Sequence, residues 1–218
     1  MKDCCNTNYN NYTKKCRRKD GKIFSLPRKF TKKQCQKEIK GFSMRSSCAP
    51  YNMCGGKKSI KQCIAKLFPD KKIKDNNVKG IVNFIQKDSN LVIKYKIRNL
   101  KDGYHGFHIH RCGDITKGCD SGCEHFNPHN KQHGGLNDEN SHAGDLGNIY
   151  SKNGSAIGKL VTDKISINID SINSIIGRMI IVHQDRDDLG KGDNNESKKT
   201  GNAGPRLSCG IIGIKDGI

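Results

Sequence analysis

Gly106-Phe107-His108-Ile109-His110 is the stretch that decides how this chain folds. It alternates, and in a strand every second side chain points to the same face. His108 and His110 therefore point together, one strand repeat apart. His125, His133, His142, Asp145 and His183 follow. This set takes six of the chain's 8 histidines and one carboxylate, within positions 108 to 183. Imidazole suits copper and zinc, and a mixed nitrogen and carboxylate set suits zinc. Seven such groups are too many for one tetrahedral ion and fit two ions that share a ligand. His105 and His129 stand apart from this set: His105 precedes the pair and is expected to orient backbone, and nothing in the sequence gives His129 a partner.

Outward from this strand the pattern is of short apolar or alternating runs. They are Ile81 to Gln86, Leu91 to Ile97, Phe107 to His110, Ala156 to Leu160, Ile165 to Ile169, Met179 to His183 and Gly210 to Ile214, separated by Gly, Asn, Asp and Lys. Regular short strands with turn residues between them predict an all-β sandwich or barrel. The Ser59 to Phe68 run supplies a first strand, and Lys71 to Asn77 a long first hairpin. The segment from Asp114 to Asn148 is too long for a plain loop and is expected to be functional or anchored.

Six blocks in order, GFHIHRCGD (106 to 114), HFNP (125 to 128), HGG (133 to 135), HAGDLGN (142 to 148), IIGRMIIVHQDRDDLGKG (175 to 192) and GNAGPRLSCG (201 to 210), resemble the eukaryotic cytosolic branch of the copper, zinc superoxide dismutases. The resemblance covers residues 59 to 218. It implies a Greek-key β-sandwich or barrel, copper on His108, His110, His125 and His183, and zinc on His125, His133, His142 and Asp145. His125 would be shared, giving one copper and one zinc per subunit. Asp187 matches a carboxylate that links the outer nitrogens of His108 and His133, and such a bond orients and tunes a ligating ring. The implied activity is dismutation of superoxide to dioxygen and hydrogen peroxide, with His125 also carrying a proton for the peroxide. Arg206 matches an arginine that holds a small anion beside the copper. Lys198 and Lys199 fall in a loop, Leu189 to Ala203, that matches one drawing superoxide inward. Steering of that kind weakens with salt, and superoxide dismutases are themselves its standard example. Cys119 and Cys209 match the family's intrasubunit disulfide, which closes a loop long enough to stabilise by about 4 to 5 kcal/mol in the chain-entropy account. Gly113, Gly177 and Ile214 match its homodimer contact, where Cys112 replaces a bulky apolar residue. Cys112 and Cys123 are additional to the family pattern.

The N-terminal part differs in kind. Residues 1 to 75 hold 21 Lys+Arg against 5 Asp+Glu, a net of +16, whereas residues 76 to 218 hold 19 against 16, a net of +3. This bias suggests an acidic partner for a basic, cysteine-rich extension over residues 1 to 58: nucleic acid, a virion component or a host protein. Tyr9, Tyr12, Tyr51, Phe24, Phe30 and Phe42 interleave with the charges without forming an RNA-binding signature. Cys4, Cys5, Cys16, Cys35, Cys48, Cys54 and Cys63 show no zinc-finger spacing, so disulfides and a structural zinc site both stay open. The Cys16 to Tyr51 segment resembles a short module of large DNA viruses. MKDCCNTNYNNYTKKC lacks the apolar core of a secretory signal, and no run is long enough to span a bilayer. A cytoplasmic protein without membrane insertion is expected, in the host cytoplasm or the virion if the source is viral. Against the enzyme stand a copper chaperone, which the missing MxCxxC disfavours, and a non-catalytic copper-binding decoy, which the complete ligand set disfavours.

Overall fold

The computed structural model describes residues 60–215 continuously, and residues 2–4, 15–18, 21–26, 32–35 and 48 within the first 59. The chain divides into two compact units, Met1–Ser59 and Ile60–Ile218.

In the first unit, β1 (Lys2–Asp3) pairs in parallel with β2 (Lys15–Arg17), which pairs antiparallel with β3 (Ile23–Ser25). A single helical turn, α1 (Lys32–Cys35), follows. Disulfides join Cys4 to Cys16 and Cys35 to Cys48. Those four cysteines are thus cross-linked rather than metal-bound. A unit this small buries too little apolar surface to hold itself, and bridges supply the missing constraint. Cys5, Cys54, Tyr9, Tyr12, Tyr51, Phe30, Phe42 and the expected boundary near position 58 lie outside the described residues.

The second unit is a nearly closed antiparallel barrel. Its strands are β4 (Gln62–Pro69), β5 (Lys79–Lys87), β6 (Asn90–Arg98), β7 (Gly103–His110), β8 (Asp145–Ser151), β9 (Ser155–Thr162), β10 (Met179–His183), β11 (Arg206–Ile211) and β12 (Gly213–Ile214). Around the wall they run β8-β7-β10-β11-β4-β5-β6-β9, with β12 beside β4. The β8–β9 hairpin closes the circuit through a bridge between Lys152 and Ser155. β6 and β7 are consecutive yet not neighbours, which is the crossover of a Greek key. The all-β expectation is met.

Period-two burial builds the core. Val82 and Phe84 of β5, Leu91, Ile93 and Ile97 of β6, and Phe107 and Ile109 of β7 all point inward and are fully buried. Each such side chain contributes about 1.5–3 kcal/mol on leaving water. β7 is unusual in being buried on both faces from His105 onward. One face packs into the barrel, and the other carries His108 and His110 beneath the long loops. Cys63 is a buried free thiol in β4, part of the barrel core rather than of the N-terminal cysteine group; burial pushes its pKa up to about 11.

Two expected elements are corrected. Ile165 to Ile169 is not a strand: it has only a single bridge, Ser166 to Ser174, although Ile165 and Ile167 are core residues. It alternates as a strand does but has no ladder partner among the described residues. Gly210 to Ile214 breaks at Ile212, whose N–H bonds to the Arg178 carbonyl and divides the run into β11 and β12. The long segment after Asp114 also yields to strand earlier than its Gly and Asp content suggests, because β8 begins at Asp145.

The segment between β7 and β8 is anchored by Cys119–Cys209, which spans 90 positions of sequence, and by Cys112–Cys123. Replacing Cys119 and Cys209 together by Ala is expected to lower stability by about 4–5 kcal/mol. Denaturant unfolding of the full chain reads this, and an unchanged midpoint would show that the bridge adds nothing.

Candidate metal centre

Three backbone hydrogen bonds assemble the site. Ile109 N donates to Gly144 O (2.8 Å), Phe126 N to Ile109 O (2.8 Å) and Gly144 N to Phe126 O (2.9 Å). They stitch the strand bearing His108 and His110 to the segments bearing His125 and the pair His142 and Asp145. Gly144 is required there, because a β-carbon would run into the Ile109 carbonyl.

The imidazoles that result are buried and crowded. His108, His110, His125 and His183 form one group, and His125, His133, His142 and Asp145 another; within each, the candidate ligand atoms lie within 4.8 Å of one another. His125 belongs to both. The structure therefore brings together all seven residues singled out in the sequence.

The outer nitrogen of most rings is engaged. His110 Nδ1 lies 2.8 Å from the Cys123 carbonyl and His183 Nδ1 3.0 Å from the Gly204 carbonyl. A carbonyl only accepts, so both rings donate there. Their Nε2 atoms are then bare lone pairs, and they face each other at 3.3 Å. Asp187 does the same service for two more rings: His108 Nε2 and His133 Nε2 each lie 2.8 Å from one of its carboxylate oxygens. That leaves His108 Nδ1 pointing inward. His133 Nδ1 and His142 Nδ1 gather on Asp145 Oδ1 at 3.1 and 3.3 Å, whereas His108 Nδ1 and His125 Nε2 are buried without a hydrogen-bond partner. Buried polar atoms are seldom left so, since each costs about 1–3 kcal/mol. Imidazole nitrogens and a carboxylate converging in a buried pocket suit a cation. The donor set, imidazole alone on one side and imidazole with carboxylate on the other, fits copper and zinc respectively.

Charge in the metal-free protein follows the same geometry. Burial, then the neighbouring His125 and His183, hold His110 well below its ordinary 6.5. Burial, then His108, do the same to His183. For His125, burial and then His108 bring the pKa down to about 3 against the pull of Asp145. His133 goes the other way: burial opposes its charge, but hydrogen bonds to Asp145 and Asp187 outweigh that and raise it to about 9. Asp145 and Asp187 are held far below the carboxylate range, burial being overcome by bonds to histidines.

Support reaches beyond the residues that the sequence singled out. Asp187 is clamped by Asn148, whose Oδ1 accepts from its N–H (2.8 Å) and whose Nδ2 donates to its carbonyl (2.9 Å). Asp145 Oδ2 accepts from the backbone of Gly134 and His142. His105 lies in β7 with its ring between the His183 and Lys101 carbonyls, and His129 pairs with Asn173 at the surface.

A cavity of about 420 Å³ opens onto His110, His125 and His183, and Arg206 lines it with Glu124, Glu196, Thr200 and Asn202. Arg206 Nη1 donates to the Cys119 and Asp120 carbonyls and Nη2 to that of Cys123. Lys198 and Lys199 sit on a short turn, α2 (Ser197–Thr200), and are exposed outside the cavity lining, with Lys198 Nζ on the Gly190 carbonyl. Cys123 has φ 64° and ψ −156°. That region is essentially glycine's own and costs other residues about 1–3 kcal/mol.

With fold and site in view, the comparisons with known proteins agree. The model of the copper/zinc superoxide dismutase (SODC) family matches residues 78–212. The chain belongs to this family. Superoxide dismutase [Cu-Zn] 5 of Dictyostelium discoideum is 53% identical over 144 residues, covering 65% of this chain and 94% of that one. Superoxide dismutase [Cu-Zn] A of Xenopus laevis is 51% identical over 139 residues, covering 63% and 91%. Among solved structures, that of the clock protein EA4 is 40% identical with a TM-score of 0.67, covering 75% of this chain and 100% of that one. The chain is thus a superoxide dismutase whose family implies copper and zinc.

Two outcomes follow. Asp187→Asn is expected to weaken metal binding by about 10–100-fold, read by chelator competition; unchanged affinity would show that the rings need no such orientation. In the metal-free protein, the depressed His110, His125 and His183 contribute stability above pH 6.5 that is lost as pH falls, for His125 toward about 3. The raised His133 contributes stability below pH 6.5 that is lost as pH rises through about 9. Calorimetry should therefore give its highest melting temperature near pH 6.5, and a steady rise to pH 9 would contradict the His133 part.

Proposed function

We infer that this protein removes superoxide at a two-ion centre, with one copper held by His108, His110, His125 and His183 and one zinc held by His125, His133, His142 and Asp145. The observation that carries the assignment is the meeting of two buried ligand groups at the His125 ring, with His108 Nδ1 and His125 Nε2 left without a partner on the copper side and His133 Nδ1 and His142 Nδ1 gathered on Asp145 on the zinc side. Bound copper supplies a one-electron couple that accepts an electron from one superoxide and gives it to a second, while zinc supplies a fixed charge without redox chemistry.

The chain's own groups do the rest. Arg206 is always charged and spends three hydrogen bonds on backbone carbonyls, leaving two of its five N–H donors for a small anion at the cavity. His125 Nδ1, 2.8 Å from Asp145 Oδ1, faces the zinc-side group, and its Nε2 faces the copper side, where it would seat a proton for the peroxide product. All four copper-side rings are buried, and three of them meet the surface through the cavity that Arg206 lines. Lys198 and Lys199, on the loop beside the cavity, are proposed to add field rather than contact. A chaperone or decoy role gains no support from this site, whose ligands and arginine are all in place.

We propose a homodimer through the exposed Phe68, Ile115, Ile211 and Ile214, the first three of which line a groove of about 690 Å³ beside Gly118 and Cys119. The basic first unit is proposed to meet an acidic partner, nucleic acid or a virion or host protein. No helix of the described residues is long and apolar enough to cross a membrane. Four disulfides among the described residues suit an oxidising setting, such as a virion, better than the reducing cytoplasm that the sequence suggests.

The test is superoxide dismutation by the copper- and zinc-loaded full chain, with metals counted per chain. One copper, one zinc and a rate that falls with ionic strength are expected. His108→Ala should abolish activity with the fold retained, as judged by circular dichroism. Full activity in that variant would overturn the ligand assignment.

A further inference from the structure

We propose that the Cys112–Cys123 disulfide is a positioning cross-link for the anion end of the metal centre, a reading that rests on the dismutase function inferred above. Its ends lie 11 positions apart in sequence and 5.5 Å apart at Cα, joining the residues after β7 to the segment that leads into His125. Two backbone bonds straddle Cys123: Arg111 N donates to Glu124 O (2.9 Å) and Cys112 N to Gly122 O (3.0 Å). Cys123 is skipped by this pairing, and its carbonyl turns away from it. With φ at 64° and ψ at −156°, its backbone is in a conformation that a β-carbon disfavours and that glycine alone adopts freely.

The carbonyl so turned is the meeting point of two functional side chains. It accepts from His110 Nδ1 at 2.8 Å and from Arg206 Nη2 at 2.6 Å. The first bond fixes the His110 tautomer and so aims Nε2 inward. The second, with the bonds to the Cys119 and Asp120 carbonyls, holds the guanidinium at the cavity. All the guanidinium hydrogen bonds of Arg206 among the described residues thus end on positions 119–123. That segment is tied at one end by Cys119–Cys209 and at the other by Cys112–Cys123. Freed of the second tie, a residue with a β-carbon at 123 relaxes toward an ordinary backbone region. Its carbonyl swings, and Arg206 and His110 lose a common acceptor.

The account separates bridge from backbone, so two variants of the full-length protein test it. C112A/C123A removes the bridge and keeps the β-carbon; C112A/C123G removes the bridge and the reason for needing it. Three readouts apply: labelling of Arg206 by phenylglyoxal in the metal-free protein, the visible and paramagnetic resonance spectra of bound Cu(II), and the split of kcat from KM for superoxide. In C112A/C123A, Arg206 should label faster, the copper spectrum should shift and kcat/KM should fall by about tenfold, the scale of a misplaced charged group. C112A/C123G should return all three toward wild type. Wild-type behaviour of C112A/C123A in all three readouts overturns the proposal, and so does a C112A/C123G variant as impaired as C112A/C123A. Copper-loaded wild type without dismutase activity would sink the functional reading instead, while labelling and spectra would still decide the cross-link.

Discussion

Ring nitrogens crowded together in a buried pocket are the constraint on which this structure turns. His110 and His183 present bare Nε2 atoms 3.3 Å apart, His108 and His125 each hold a buried nitrogen without a partner, and His133 and His142 converge on Asp145. Left to themselves, neutral imidazoles would rotate to trade donors and acceptors or open to water. Here rotation is blocked from outside. The Cys123 and Gly204 carbonyls and the Asp187 carboxylate occupy the outer nitrogens of His110, His183 and His108, so the inner nitrogens of these three rings are left to meet a cation. The pocket is built against the interest of the metal-free chain, and binding of ions returns that free energy as stability of the folded state.

Holding such an arrangement takes a stiff frame. β7 supplies it by being buried on both faces, so that Phe107 and Ile109 fix in the core the same backbone that carries His108 and His110. The Ile109 backbone then pins both ligand-bearing segments beyond it through Phe126 and Gly144. Asp187 couples the two sides of the centre, and Asn148, within β8, holds Asp187 in turn. A cavity with Arg206 in its lining opens onto the copper-side rings.

Much of this was legible in the residues. The His108/His110 alternation is local information, since a strand's period places both rings on one face. The wider ligand set was legible because histidine is scarce here and its positions follow a known family order. Other features are written in no single stretch. Ile165 to Ile169 has strand periodicity, and only the missing neighbour shows that it is not one. β8 hides in HAGDLGN, where glycine and aspartate read as loop, because its register is imposed by β7. The Cys4–Cys16 and Cys35–Cys48 pairings depend on distances that irregular spacing does not encode. Cys123 is the sharpest case: its extra cysteine was visible, but a positive φ and a shared carbonyl exist only in three dimensions. Lys198 and Lys199 were read from the loop that carries them, and the turn around Ser197 directs Lys198 to a backbone carbonyl.

The central claim is that two different ions share the His125 ring. Anomalous diffraction from crystals of the metal-loaded protein, collected at the copper and zinc absorption edges, tests it most directly. The account predicts copper signal among His108, His110, His125 and His183, zinc signal among His125, His133, His142 and Asp145, and density for the His125 ring between them. A single ion, or both edges peaking at one position, would contradict it.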